Sequence, residues 1–331
     1  MKILVTGVAG FIGFHTAKKL LVEHEITGID NINDYYDQSL KLSRLKELEN
    51  FDTKKNFKFI QTDISEKDPL GKIFSENFDC VIHLAAQAGV RYSIENPYAY
   101  NQSNITGFLN ILENTKIKKI KHLIFASSSS VYGSNIKQPF SVNDMTDFPV
   151  SVYAATKKSN EVMAHAYSHL FNIPMTGLRF FTVYGPFGRP DMAYFNFTKS
   201  IFEEKEIQVF NEGKMKRDFT YIDDIVEGIK KILDFIPNKN DNYLTNSNAP
   251  FRLLNIGNNN PVKLEEFIKI LEQKCNKRAI KTYFPMQQGD VEETFADIDD
   301  LSKLTGFSPK TTLSNGLGKF VDWYKKYYEI K

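Results

Sequence analysis

The chain has 331 residues, which at about 150 residues per domain allows roughly two domains and a sizeable core. Its 42 Lys+Arg nearly balance 40 Asp+Glu for a net charge of +2, and 25% charged with 42% hydrophobic residues is an ordinary globular composition. That balance excludes a diffuse polyanion binder, so no nucleic-acid partner is expected and any ligand must be held in a specific pocket. Cys80 and Cys275 are far apart without C-x-x-C spacing, which suggests neither a disulfide framework nor a zinc site. The longest uncharged stretch that mimics a targeting signal, residues 3–14, is too short to span a bilayer and is broken by Gly7, Gly10 and Gly13. No membrane partner is expected, and the protein reads as cytoplasmic.

In chain order, apolar runs predict strands at 2–6, 25–30, 57–61, 79–84, 122–127 and 175–181. Helical patterns lie between them at 11–22, 38–49, 66–76, 98–115 and 152–171. This alternation predicts an α/β fold, a Rossmann-type doubly wound parallel sheet with a smaller C-terminal α/β substrate lobe. After Tyr184 the rhythm breaks at Gly185, Pro186, Gly188 and Pro190. A helix over 223–235 and a strand over 253–257 are expected to return to the sheet. The expected division is therefore an NAD-binding domain of 1–186 plus about 221–257, and a substrate lobe of about 187–220 and 258–331. No repeat of 20 to 50 residues occurs, and the Asn-rich stretch 238–248 reads as a surface loop.

The glycines Gly7, Gly10 and Gly13, interleaved with Phe11 and Ile12, follow the first strand and open the first helix. In that place they permit close backbone approach to a pyrophosphate seated on the helix N-terminus. Asp30, ending the second strand, suits an adenosine ribose and would repel a 2′-phosphate, which favours NAD over NADP. Asp63, just past the third strand, is placed to meet the adenine edge. Tyr153 and Lys157 are four apart and share one helix face. A lysine beside the phenol is needed there, because a tyrosine of ordinary pKa, ~10, is a poor base at neutral pH. The four serines 127–130 end an apolar strand at the sheet edge where open α/β folds bind ligands. A hydroxyl from this run can donate to a substrate oxygen while Tyr153 takes its proton.

These motifs, with Asp63-Ile64, His83-Leu84-Ala85-Ala86, the run 96–107, Ser-Ser-Ser-Ser-Val-Tyr-Gly, Tyr153-Ala154-Ala155-Thr156-Lys157 and Arg217-Asp218-Phe219, resemble the extended short-chain dehydrogenase/reductase family. More narrowly they resemble its nucleotide-sugar epimerases, over nearly the whole chain. The resemblance implies Ser128, Tyr153 and Lys157 as the catalytic set, with Ser129 or Ser130 able to share the serine role. It implies NAD held by Gly7, Gly10, Phe11, Ile12, Gly13, Asp30, Asp63, Ile64, Leu84, Ala85, Ala86, Asn104, Tyr153 and Lys157. It also implies a homodimer formed through the helices near 98–115 and 152–171.

Family relatives that dehydrate sugars carry Thr-Asp-Glu where Ser128-Ser129-Ser130 stand here. Eliminating water across C5–C6 needs an added acid and base, so a dehydratase is disfavoured. What remains is reversible oxidation at C4 of a UDP-sugar with no net redox. The segments 178–193, 88–93 and 286–291 are close to the form seen in UDP-glucuronate 4-epimerases. Galactose-type epimerases have Asn at the place of Thr182 and an Arg near Gln287 or Gln288, and this chain departs at both.

Glucuronate oxidised at C4 is a β-keto acid that readily loses its carboxylate as carbon dioxide, so an epimerase must restrain that group. Arg189 is the first candidate and Arg91 the second, because a guanidinium holds both oxygens in one plane. The resemblance implies substrate contacts at Arg91, Ser129, Thr182, Arg189, Phe210, Asn211, Arg217 and Asp290, with Arg217 on the diphosphate and Phe210 and Asn211 at the uracil. The expected reaction is UDP-glucuronate to UDP-galacturonate, a sugar typically destined for surface polysaccharide. The alternatives are a UDP-N-acetylglucosamine or UDP-glucose 4-epimerase, a UDP-glucuronate decarboxylase, or a non-catalytic NAD-sensing protein. A sensor has no need of the Tyr153–Lys157 pair. No metal is expected: His165 and His169 share a helix face, but no third ligand is visible and a surface or interface pair is the simpler reading.

Overall fold

A computed structural model describes residues 1–239, 248–286 and 292–330. The first half runs β1 (Lys2–Thr6), α1 (Phe11–Leu20), β2 (Glu25–Asp30), α2 (Gln38–Phe51), β3 (Phe57–Gln61), α3 (Lys67–Ile73) and β4 (Cys80–His83). It continues through α4 (Tyr92–Glu95), α5 (Pro97–Tyr100), α6 (Gly107–Lys118), β5 (His122–Ser128), α7 (Val152–Phe171) and β6 (Met175–Phe180). The second half holds β7 (Thr182–Tyr184), α8 (Ala193–Phe202), β8 (Glu206–Phe210), β9 (Lys216–Tyr221), α9 (Ile222–Ile232) and β10 (Phe251–Ile256). It ends with β11 (Pro261–Lys263), α10 (Leu264–Cys275), β12 (Ile280–Phe284), β13 (Glu293–Thr294), α11 (Asp299–Thr305) and α12 (Leu313–Tyr327).

Seven parallel strands form the main sheet in the order β10-β6-β5-β4-β1-β2-β3. Successive side chains of a strand point to opposite faces, and the core divides accordingly. Ile3, Val5, Ile82 and Ile124 pack with apolar residues of α1 and α9, while Leu4, Val81, Leu123 and Phe125 pack with α3 and α6 on the other face. β4 and β6 are buried along their whole length, as strands covered on both faces must be. The strand order reverses between β1 and β4, which opens a crevice beyond their carboxyl ends. Beside this sheet, β9 pairs with β7, β11 and β13, and β8 pairs with β12.

The expected strands at 2–6, 25–30 and 57–61 and the expected helix at 152–171 coincide with β1, β2, β3 and α7. The cap explains the last: Ser151 Oγ accepts from Ala154 N at 3.1 Å, and left-handed Asn172 stops the helix. The segment predicted at 98–115 differs. It enters at Pro97, passes through a π-helical stretch Asn101–Thr106 and runs to Lys118. A 3.6-residue periodicity cannot register that wider turn. The helices predicted at 11–22 and 66–76 stop earlier, at Leu20 and Ile73. Both cysteines are buried. Of the Asn-rich stretch, residues 240–247 lie outside the described residues. Among the described residues, no helix is long and apolar enough to cross a membrane.

Candidate active site

A cleft of about 1110 Å³ runs across the carboxyl ends of β1, β4 and β5 and on toward β7, β8 and β9. At one end the backbone makes an anion cradle. Gly7 has φ +72°, and a Cβ there would sit 2.7 Å from Ala85 N. A Cβ on Gly13 would sit 2.1 Å from Gly7 O, so only glycine lets β1, the loop after β4 and α1 meet this closely. No side chain caps the N-terminus of α1, which leaves its N–H groups and positive dipole end for a phosphate. Thr6 ties the floor together: its Oγ1 accepts from Leu84 N at 3.2 Å and Ala85 N at 3.1 Å and lies 2.8 Å from His83 Nδ1. Burial, with Lys157 nearby, depresses His83 to about 3, so it stays neutral.

Asp30 accepts from Ile32 N at 2.8 Å and Ala9 N at 3.1 Å, and burial raises its carboxyl above the ordinary value. Asp63 behaves oppositely. Burial pulls it upward, but bonds from Ser65 N, Ser65 Oγ and Asn31 Nδ2 hold it below the ordinary carboxylate value. Behind this end stands Arg44, fully buried and, among the described residues, with no carboxylate as a bonded acceptor. It donates to Ala9 O at 2.7 Å, Tyr36 Oη at 2.7 Å, Phe187 O at 2.7 Å and Gly188 O at 3.1 Å. It thereby joins the glycine-rich turn to the loop that carries Arg189.

At the middle of the cleft, α7 presents Tyr153 and Lys157 to the end of β5. Lys157 is buried, and its Nζ donates to Ala126 O at 2.9 Å. Burial lowers it to about 8. The Tyr153 phenol is raised by burial, against which a hydrogen bond with Ser128 and the Arg189 charge pull it down. The four serines are not equivalent. Ser127 Oγ donates to Glu161 Oε1 at 2.6 Å in a buried network, whereas Ser128 reaches Tyr153 and Ser130, the latter at 3.1 Å. Such a set can hold a hydroxyl between phenol and serine and pass its proton to the phenolate.

At the far end Arg189 Nε donates to Asp191 Oδ1 at 3.0 Å and its Nη2 to Asp191 Oδ2, while the Tyr35 hydroxyl donates to Oδ2 at 3.2 Å. The Arg91 guanidinium lies 5.2 Å from the Phe210 ring centroid. Arg217 donates to the carbonyls of Lys216 at 2.9 Å and Glu292 at 3.0 Å. Thr182 and Ser129 also face the cleft.

The structure gathers the expected residues into this one cleft with three exceptions. Asn104 stands behind the wall: its Nδ2 donates to Gln87 O and Thr156 Oγ1, each at 3.0 Å, and its Oδ1 accepts from Gln87 N at 2.8 Å. It pins the loop after β4 to α7, because the π-helical turn rotates it inward rather than toward the cleft. Asn211 sits in a left-handed turn after β8 and is not part of the lining. Asp290, with Gln287 and Gln288, lies outside the described residues. Tyr35, Arg44 and Asp191 were missed. For Asp191 a signal existed, since Arg-x-Asp spacing permits a local ion pair. Among the described residues no cluster of His, Cys, Asp and Glu could hold a metal, and the His165 and His169 rings stack at 6.4 Å.

The family described as GDP-mannose 4,6 dehydratase matches residues 4–320. The chain is 55% identical to "Protein CapI" of Staphylococcus aureus, over 99% of this chain and all of that one. It is 46% identical to a probable UDP-glucuronate 4-epimerase of Rhizobium meliloti, over 99% and 98% of the two chains. Among solved structures, a Bacillus cereus UDP-glucuronic acid 4-epimerase in complex with UDP-glucuronic acid and NAD matches with a TM-score of 0.89 and 36% identity, over 99% of this chain and 100% of that one.

Proposed function

The chain belongs to the GDP-mannose 4,6 dehydratase family, and we propose that it interconverts UDP-glucuronate and UDP-galacturonate at C4 with NAD as a resident cofactor. A family does not fix a reaction, because chemistry resides in the site. The observation that carries this reading is that Ser128, Tyr153, Lys157 and Arg189 line one cleft with the glycine cradle. The relatives and the solved neighbour that bear the name UDP-glucuronate 4-epimerase support it.

The cradle of Gly7 and Gly13, the uncapped α1 and Asp30 fit a dinucleotide, and the Asp30 carboxylate favours a free ribose over a 2′-phosphate. When bound, NAD supplies a reversible acceptor for the hydrogen at C4. The protein's residues do the rest. Tyr153 takes the C4 hydroxyl proton, Ser128 holds the same oxygen, and the Lys157 ammonium stabilises the phenolate. Arg189 restrains the sugar carboxylate against loss as carbon dioxide, and Arg217 meets the diphosphate. Phe210 and Arg91 flank the uracil end, and Asn104 acts as a positioning residue. Most binding energy is drawn from the uridine diphosphate, which leaves the oxidised sugar free to turn its other face before it is reduced. We also propose a cytoplasmic homodimer. The exposed Leu109 and Ile117 of α6 and Val162 and Leu170 of α7 support that interface.

The test is to incubate purified protein with UDP-glucuronate without added NAD and to resolve the products. UDP-galacturonate without carbon dioxide is expected; turnover of UDP-glucose or UDP-N-acetylglucosamine alone sinks the substrate assignment. Arg189→Ala is expected to raise KM for UDP-glucuronate about tenfold or more, the weight of a charge-assisted hydrogen bond. Equal losses on a neutral UDP-sugar defeat the carboxylate role.

A further inference from the structure

We propose that Asp191 sets the acid-sugar selectivity of the cleft, as a resident carboxylate with which the carboxylate of the sugar must share Arg189. The inference rests on the UDP-glucuronate reading above.

Three observations carry it. Arg189 is already paired within the chain, side-on, through Nε and Nη2 to both oxygens of a carboxylate two residues away. That carboxylate is held from a second element, since Tyr35, on the loop after β2, donates to Asp191 Oδ2 at 3.2 Å. The pair also lies within reach of the reacting group: Arg189, Asp191, Tyr35 and Tyr153 line the same cavity, and the Arg189 and Asp191 charges act on the Tyr153 phenol with opposite signs.

A guanidinium offers five N–H donors, and Asp191 takes two of them. A sugar carboxylate therefore approaches a positive charge that is already balanced, and its attraction to Arg189 is opposed by repulsion from Asp191. The exchange is feasible because the internal pair is partly open to water, with the side chains 24% and 30% exposed; solvent weakens such a pair. A neutral sugar presents nothing that displaces Asp191 and meets the pair intact. Substrate and product of a 4-epimerase carry the same carboxylate. A lone arginine would hold both tightly and delay release, whereas a resident competitor keeps the recognition and lowers the affinity.

The measurement is calorimetric binding and steady-state kinetics of the NAD-loaded enzyme, comparing wild type, Asp191→Asn and Asp191→Ala, with melting curves to establish that the variants are folded. Both variants are expected to bind UDP-glucuronate about tenfold more tightly, or ~1.4 kcal/mol. KM should fall without a rise in kcat, while UDP and UDP-glucose shift less than about twofold, a split that a merely structural residue would not produce. Weaker or unchanged UDP-glucuronate binding, or parallel changes on UDP-glucose, overturns the inference. The wild type supplies a reading that needs no variant: sharing keeps its preference for UDP-glucuronate over UDP-glucose below about a hundredfold in Kd, and any larger preference also overturns the inference. A wild type indifferent to the sugar carboxylate refutes the UDP-glucuronate reading itself, so the two failures are distinguishable.

Discussion

Replacing Tyr153 with Phe is expected to lower kcat by about 10²–10⁴-fold, the range that a positioned acid–base group contributes, while NAD and UDP-glucuronate still bind. The phenol is the group placed to take a proton, since burial alone would leave it too weak an acid. Ser128 and the Arg189 charge offset only part of that burial, which leaves the phenol above its ordinary value, and the Lys157 ammonium stands one helical turn away. Phe keeps the ring that packs 6.1 Å from Tyr100, so packing is retained and only the hydroxyl is lost. Rapid-quench product analysis and retention of NAD on gel filtration check both halves; turnover near wild type removes Tyr153 from its role.

Lys157→Met is the companion variant, because the lysine is costly to bury. Its folded-state pKa of about 8 lies below its ordinary 10.5. A lysine depressed in this way destabilises the fold while it is charged, and the cost is relieved as pH rises from about 8 to 10.5. The displacement corresponds to about 3 kcal/mol. The variant is therefore expected to melt higher than wild type at pH 7, with a margin that shrinks above pH 9, and to have lost activity at both. An equal margin at all pH values contradicts that origin.

Local sequence carried the sheet because its inner strands are buried on both faces and so read as nearly continuous apolar runs. It also carried the helix at 152–171, because Ser151 caps one end and Asn172, in the left-handed region, stops the other. The serine run was legible as a site but not as individuals. Only the fold gives Ser127 to Glu161 and Ser128 to Tyr153. Asn104 was expected at the cofactor and stands behind the wall, because a π-helical turn changes its facing and leaves no mark on periodicity. β7, β11 and β13 run only two or three residues, too short for alternation to register. Their partners come from distant parts of the chain. Arg44 was illegible for a related reason: apart from the Tyr36 hydroxyl its acceptors are carbonyls of loops 35 and 143–144 residues away, and carbonyls carry no sequence signature.

Glu161→Gln is expected to destabilise the protein by roughly 3–5 kcal/mol, the cost of breaking one side of a buried ion pair. Glu161 follows Lys157 by one turn of α7, and its two oxygens accept from Arg179 Nε at 2.8 Å and Nη2 at 2.9 Å. The side chains are 2% and 3% exposed, so solvent screening does not weaken the pair. Burial alone would depress the Arg179 guanidinium; the Glu161 bonds and charge reverse this and push it above its ordinary value. With the carboxylate gone, Arg179 keeps the Val142 carbonyl at 3.3 Å and the Tyr132 ring at 4.8 Å, neither of which neutralises a buried charge.

A loss of that size is a large share of the ~5–15 kcal/mol that separates folded from unfolded domains. Urea melts read it directly, as a fall in midpoint at unchanged slope. Glu161→Leu with Arg179→Met is expected to recover much of the stability, because removing both charges leaves neither unpaired. Activity should not return with it. The pair also consumes Ser127 and locks α7 onto β5 and β6 directly beneath Ser128 and Lys157. With Glu161 gone, Ser127 loses its acceptor and the proton-transfer pair loses its backing. A double variant that is both stable and fully active would show that this network serves the fold alone; a stable but slow one makes it the support on which the catalytic register depends.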